Sequence, residues 1–200
     1  MTRKIYAISR PDQLAAIASP VRQEIVDVLA GVPGAPVSAI AAALGRPADA
    51  LYYHLRELMR VGLVVPSGKA RGRRRPETLY RTVAPELVAA YDPASAVNVE
   101  GVSRAIASML RLGTRDFHRA FSSGDVAVAG PRRELWAGRL TGWLDGAGIA
   151  QVNRLFKRIF RILYRSRAGP GRRLFAVTHV LVPLDRRPRR QKEPRHAKRR

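Results

Sequence analysis

The feature that most constrains the fold is the stretch over 37–83, where two helical patterns precede a basic, glycine-rich run between two strand-like segments. VSAIAAAL repeats its apolar residues at helical spacing and stops at Gly45, which suits a left-handed helix end. The next helix is expected over 48–60. Its apolar positions fall on one stripe, formed by Leu51, Leu55, Leu58 and Met59.

Strand-like residues follow this second helix. LVV and ETLYRTV have the β-branched and aromatic content of strands, and SGKARGRRRP between them is polar and rich in glycine and arginine. That composition predicts an exposed hairpin loop. The order is therefore helix, turn, helix and basic hairpin, which is the order of a winged helix-turn-helix.

Two further helices are predicted before this stretch. Asp12 can cap a helix through QLAAIAS, and Ser19 can cap the next, where Pro20 suits the first turn before VRQEIVDVLA. The apolar residues of VRQEIVDVLA fall on one face and predict a core helix. They are Val21, Ile25, Val28 and Leu29.

The charge balance points to a polyanionic partner. Lys and Arg number 37 against 15 Asp and Glu, which gives a formal net charge of +22 in 200 residues. A chain with this charge associates with polyanions whether or not it reads a sequence. Nucleic acid is the leading partner, and an anionic membrane surface is the weaker alternative.

Other classes are disfavoured by composition. No window approaches the roughly 18 uninterrupted apolar residues of a membrane span, and the first residues lack the apolar stretch of a secretion signal. We therefore expect a cytoplasmic, nucleoid-associated protein with no membrane partner. The absence of cysteine removes disulfides and thiolate metal sites, and we expect no metal and no cofactor.

The helix over 48–60 has a second face that is free to contact DNA. A step of about 100° per residue turns the side chains opposite the leucine stripe outward, with two aromatic residues at the margins. The outward residues are Asp49, Tyr53, Arg56 and Arg60, and the marginal ones are Tyr52 and His54. Arg56 can contact guanine or a phosphate, the tyrosines can contact phosphates or thymine methyls, and His54 can donate to either.

These residues also have simpler interpretations. Tyr52 can be a half-buried core aromatic, and Asp49 can be only a helix cap or a first-turn acid that the helix dipole stabilises. The hairpin loop carries five cations that suit phosphates or a narrow minor groove. They are Lys69, Arg71, Arg73, Arg74 and Arg75. Without DNA binding, the same two helices would be an ordinary helical hairpin.

ASPVRQEIVDVLAG, YYHLRELMRVGLV and LYR after the basic loop together resemble the ArsR-type (arsenic-repressor-like) winged helix-turn-helix transcription regulators. The resemblance covers roughly residues 10–84. It implies a homodimer that binds a palindromic operator, usually represses, and releases DNA on binding an effector, here of unidentified chemistry. It also implies a recognition helix over 48–60 and a wing over 67–76. The Cys-containing ligand motif of the metal-sensing members is absent.

The second half is predicted to be mainly helical. Its start is expected in a linker over 85–95, and helices are expected around Val102 to Leu110, through RRELWAGRLTGWLD, and over 149–165. LFAVTHVLVPL is expected as a late β-strand that is covered on both faces. Residues 185–200 are expected to be a disordered basic tail, which either adds a phosphate-binding arm or only solubilises the chain.

Several features of this half have two interpretations. The apolar stripe of 149–165 fits either a dimer partner or an intramolecular core, and Trp136 and Trp143 fit either an effector pocket or a core. His118 and His179 have no second ligand at a metal-like spacing and are interpreted as structural. No nucleophile turn, phosphate loop or paired acidic motif is present, so we expect no enzyme.

The predicted fold is mainly α with a small β component. A winged helix-turn-helix domain over 1–84 is joined by the linker to a C-terminal helical region with a late β-strand over 96–184, which serves dimerisation or an effector. The predicted function is a sequence-specific regulator that binds double-stranded DNA. The alternatives are an architectural DNA-binding protein without sequence preference, or a protein that uses the basic helix 149–165 on a membrane surface or RNA.

Overall fold

A computed structural model describes residues 4–70 and 76–184. Within them the fold is mainly helical with two small sheets, as predicted. In chain order the elements are β1 (Ile5–Ile8), α1 (Pro11–Ile17), α2 (Pro20–Ala30), β2 (Ala35–Pro36), α3 (Val37–Leu44), α4 (Ala48–Arg60), β3 (Val64–Lys69), β4 (Thr78–Thr82), β5 (Glu86–Ala89), α5 (Ala96–Ser123) and α6 (Gly146–Arg165).

The core lies among α1 to α4 and the first half of α5. The stripe predicted on α4 is confirmed, since Leu51, Leu55 and Leu58 are at most 1% exposed. They pack with Leu14 of α1 and Ile25 of α2 in one apolar cluster. Removing a leucine side chain of this size from water stabilises a fold by roughly 1.5 to 3 kcal/mol. Packing of these leucines therefore fixes the rotation of α4 about its own axis.

The turn between α3 and α4 is set by its glycine. Gly45 follows α3 with a φ of 61°, the left-handed conformation expected there. Pro20 occupies the first turn of α2 as predicted, but Ser19 before it makes no side-chain cap hydrogen bond. The predicted cap at Asp12 is wrong, because α1 begins at Pro11 and Asp12 lies inside its first turn.

Two small sheets frame the helices. β3 and β4 pair antiparallel as the predicted hairpin, and β2 joins the other edge of β4. The stretch predicted as a linker contains β5, which pairs in parallel with β1 near the N-terminus. The chain then enters α5, which packs so closely on α1 that a Cβ on Gly101 would lie 3.0 Å from Leu14 Cδ1.

The C-terminal half departs from the prediction in two places. The helix expected through RRELWAGRLTGWLD is wrong, since residues 133–145 form no helix. Pro131, Gly138 and Gly142 disfavour a helix there. LFAVTHVLVPL is not a paired strand within the described chain, and its side chains are exposed rather than covered. The helix expected over 149–165 is confirmed as α6.

Candidate nucleic-acid interface

The exposed face of α4 carries five of the six DNA-contacting residues predicted on this helix. Tyr52 and Tyr53 are 48% and 57% exposed, so Tyr52 is not a core aromatic. Arg56 is exposed between the positions of Asp49 and Arg60 on the same face. At about 100° per residue, these five side chains occupy roughly 100° of the helix circumference, opposite the buried leucines. The helix therefore presents hydroxyls and guanidinium groups along one surface.

Two of the predicted residues lie in surroundings that limit their roles. Arg60 makes an ion pair with Glu57, in which its Nη2 lies 3.0 Å from the carboxylate, at the far end of the helix. His54 is half-buried, and its Nδ1 is buried without a hydrogen-bond partner among the described residues. Burial lowers the pKa of His54, and the nearby cations Arg22 and Arg46 lower it further. His54 is therefore neutral at neutral pH, and its side chain is more buried than that of Tyr53.

The wing is only partly described. Lys69 is exposed at the end of β3. The other four predicted wing cations, Arg71, Arg73, Arg74 and Arg75, lie outside the described residues, as does the predicted tail over 185–200. At the base of the wing, Ser38 Oγ donates to the Glu77 carboxylate at 2.6 Å. This bond joins the start of α3 to the strand that returns from the wing.

An acidic side chain that no sequence pattern singled out connects α5 to the helix-turn-helix. Glu24 on α2 accepts from Arg46, in the turn before α4, at 2.9 Å and from Arg115, on α5, at 2.6 Å. Its side chain is 13% exposed. The bridge holds the turn before α4 and the long helix α5 against the same point of α2.

Asp27 lies one turn further along α2, in surroundings that disfavour a charged carboxylate. Burial raises the pKa of Asp27 to about 6 from an ordinary value of 3.8; a hydrogen bond from Gln23 lowers it, and the negative charges of Asp116 and Glu24 raise it. The folded state therefore holds this proton more tightly than the unfolded state does. Stability contributed by the neutral form is present below about pH 4 and is lost as the pH rises through about 6.

We expect Asp27→Asn to stabilise the protein at neutral pH. A shift of about two pKa units corresponds to about 3 kcal/mol at most, the cost of keeping this carboxylate charged in the fold. Urea unfolding should show a gain for the variant at pH 7.5 and very little at about pH 3.5, where the wild-type carboxyl is mostly protonated even in the unfolded state. Asp125→Asn, at an exposed position, is the matched control. An equal gain at both pH values would contradict this explanation.

The tryptophans of the second half lie neither in the core nor in the cavity beside them. Trp136 and Trp143 are 75% and 74% exposed, and the guanidinium of Arg133 stacks 4.1 Å above the Trp136 ring. A shallow cavity of about 160 Å³ lies nearby, lined by Phe117, Phe121, Val128, Arg133, Leu135 and Ala137. The exposure of both tryptophans shows that a core role is wrong for this chain on its own. Neither residue lines this cavity, and an effector pocket at the tryptophans stays a prediction.

Part of the first domain matches a known family. Residues 17–66 match the model of a family described as a helix-turn-helix domain. Two solved structures are similar to parts of the chain. A transcriptional regulator homologue from Pyrococcus horikoshii OT3 is 23% identical, with 56% of this chain and 90% of that one covered and a TM-score of 0.31. The multiple antibiotic-resistance repressor MarR from Listeria monocytogenes 4b F2365 is 16% identical, with 78% and 84% covered and a TM-score of 0.28.

No curated protein matches the chain. None of the helices in residues 4–70 and 76–184 combines the length and apolar character needed to cross a membrane. The same residues contain no group of three acidic or histidine side chains placed to hold a metal ion. The buried stripe of α4, its exposed face and the β3–β4 hairpin define a winged helix-turn-helix domain, a DNA-binding architecture.

Proposed function

We propose that the protein is a sequence-specific transcription regulator of the ArsR type, a homodimeric repressor that reads a palindromic operator. The observation that carries this is the division of α4 into a fully buried leucine stripe and an opposite face of exposed tyrosine and arginine. In this class of fold such a helix enters the major groove with its exposed face against the base edges. α4 is the recognition helix in this proposal.

In this proposal some exposed side chains contact phosphates and position the protein on the DNA, and others contact bases and read the sequence. Arg56, near the middle of the exposed face, is placed for a bidentate contact to guanine, and the hydroxyls of Tyr52 and Tyr53 for phosphates. The wing over 67–76 supplies cations for the backbone or the minor groove on the flank. Asp49 lies in the first turn of α4, where its carboxylate interacts favourably with the positive end of the helix dipole.

The bridge at Glu24 offers a route from the C-terminal region to the DNA. Arg115 and Arg46 bind the same carboxylate, so a shift of α5 changes the support of the turn before α4. An effector that binds the C-terminal region would act on DNA affinity through this contact. Its chemistry is not assigned.

Footprinting on genomic fragments tests the proposal. We expect a protected palindrome at about 0.15 M salt, with protection of both half-sites at the same protein concentration. Uniform protection along every fragment would support the second candidate, an architectural DNA-binding protein without sequence preference. The charge of +22 favours that candidate, which predicts similar affinity for unrelated duplexes and a steep salt dependence.

We expect Arg56→Ala to weaken binding to the operator by about 1 to 3 kcal/mol and to relax the choice of base at one position in each half-site. Binding to random duplexes should change much less, because only one cation is lost. Arg119→Ala removes the same charge from the exposed surface of α5 and serves as the control. Titrations of both variants on operator and random DNA check this, and an equal loss on the two duplexes would assign Arg56 to the phosphates.

A further inference from the structure

The C-terminal part of the described chain exposes its apolar side chains. No described residue after Leu112 is buried. On α6 the apolar stripe is open, with Leu155 and Ile162 54% and 63% exposed. Apolar residues of segment 174–184 are also exposed, among them Leu174, Phe175, Val177, Val180, Leu181 and Val182. An apolar surface of this extent marks a contact with another molecule.

Two successive side chains of segment 174–184 contact different helices, as they would in a β-strand, and the segment is paired with no strand among the described residues. It contains no helical turn, hydrogen-bonded turn or bend. Thr178 faces α5, since its Oγ1 is 2.9 Å from the place a Cβ on Gly113 would take. His179 faces α6, with its ring 4.9 Å from that of Phe156. Successive side chains on opposite sides are characteristic of a strand, and here helices lie against its two faces.

The backbone edges of segment 174–184 are not paired with another strand. Among the described residues, no hydrogen bond between two backbone groups involves 174–184 or 135–144. The Leu135 carbonyl accepts from the Arg133 side chain at 2.7 Å. The two segments begin close together, because Arg173 Nη1 lies 3.3 Å from the Glu134 carboxylate. Free edges of apolar segments are templates for strand pairing with another chain.

The segments outside the described residues offer few apolar side chains. They read MTR, RGRRR and DRRPRRQKEPRHAKRR, in which Met1 and Ala197 are the only aliphatic side chains. Such basic, polar segments have too little apolar area to bury against a strand or against α6. Their composition therefore does not suit pairing with segments 135–144 and 174–184.

The distribution of charge favours a second copy that joins through the strands. α6 carries five cations and no acid, so direct pairing of two α6 helices would bring like charges together; they are Arg154, Lys157, Arg158, Arg161 and Arg165. Segment 174–184 has no Lys, Arg, Asp or Glu, and segment 135–144 has only Arg139. Strands from two copies can therefore meet without repulsion while the cations of α6 remain in solvent.

We propose that segments 135–144 and 174–184 pair with the same segments of a second copy and complete a sheet shared by two chains. This rests on the proposed homodimer and assigns its surface. The helices α6 of the two copies cover one face of the shared sheet with their apolar stripes. The dimer surface is then separate from α4, which stays free for DNA.

Sedimentation equilibrium of the full chain tests the proposal. The wild type should have twice the chain mass of 22.1 kDa. Val180→Pro and Leu181→Pro each remove one backbone donor, and the donors of neighbouring residues point to opposite edges of a strand. At least one proline variant should raise the dimer dissociation constant tenfold or more. Val180→Ala and Leu181→Ala remove the side chain but keep the donor, and should change it about threefold or less.

Neither donor is hydrogen-bonded to the described backbone of its own chain. Each proline variant should therefore keep the circular dichroism and DNA affinity that the wild type shows when diluted below its dimer dissociation constant. A second measurement does not depend on proline. The chain has no cysteine, so single cysteines placed at successive positions over 176–182 should cross-link two copies at one or more of these positions. Ala39→Cys, exposed on α3, is the control and should not cross-link.

A wild type that stays monomeric at about 100 µM, or proline variants with the wild-type dissociation constant, would overturn the proposal. Failure of the proposed function is a different result. In that case the chain would still dimerise through these segments but would protect no specific sequence in a footprint. A dimer that resists both prolines and still protects a palindrome would keep the function and place the dimer surface elsewhere.

Discussion

Replacing Leu55 by alanine is expected to lower the free energy of unfolding by about 3 kcal/mol. Leu55 is 1% exposed and packs in the middle of the cluster between α4 and the other helices. Truncation of a buried leucine removes apolar contacts and leaves a cavity, which costs about 2 to 5 kcal/mol in well-packed cores. Urea unfolding followed by circular dichroism measures this loss.

Tyr53→Ala is the matched change on the opposite face of the same helix. Tyr53 is 57% exposed, so its loss should alter the unfolding free energy by less than about 1 kcal/mol. The DNA affinity of the Tyr53→Ala variant should fall by about fivefold, because a phosphate contact is lost. If Tyr53→Ala destabilised the fold as much as Leu55→Ala, the assignment of the two faces of α4 would be wrong.

The second large effect is expected from the wing. Changing Arg73, Arg74 and Arg75 together to alanine should weaken binding to operator and random duplexes alike, on the order of 100-fold at 0.1 M salt. Three lost phosphate contacts should also flatten the slope of log affinity against log salt by about 2.7. Fluorescence anisotropy titrations over a range of salt concentrations give both quantities.

The triple change differs from Arg56→Ala in what it leaves intact. The ratio of operator affinity to random-duplex affinity should stay within about threefold of the wild-type ratio, because base contacts from α4 remain. A loss confined to the operator would show that the wing reads bases. An unchanged salt slope would show that these three arginines do not contact phosphates.

Much of the first domain follows from local sequence patterns. The leucines of α4 recur at i, i+4 and i+7, and Gly45 marks a left-handed helix end, so neighbouring residues alone define both features. The same spacing placed Tyr53 and Arg56 on the free face. Exposure of Tyr52 could not be predicted, because a side chain at the margin of the stripe is decided by what packs beside it.

Other features depend on residues far apart in the chain. β1 and β5 are four residues each, and their parallel pairing joins segments about 80 residues apart, for which neither sequence carries a signal. The bridge from Arg46 and Arg115 to Glu24 likewise has no periodic pattern in the sequence that would predict it. In RRELWAGRLTGWLD, the spacing of Trp136, Leu140 and Trp143 fits a helix, but the glycines between them disfavour one.

Segment 174–184 shows a different limit of prediction from sequence. LFAVTHVLVPL is apolar at almost every position, which predicts a strand covered on both faces. α5 and α6 touch it at Thr178 and His179, yet its edges and most of its side chains are free in a single chain. A pattern can show that such a segment must be covered, but it does not show which molecule covers it.

Selection of bound duplexes from a random pool tests the central claim most directly. If α4 reads base edges from each of two copies, the selected sequences should share two inverted half-sites whose centres are about 10 base pairs, or a multiple of that, apart. Arg56→Ala should select a motif with one position relaxed in each half-site. A pool that stays random after several rounds, although the protein retains its duplexes at each round, would contradict a sequence-reading role for α4.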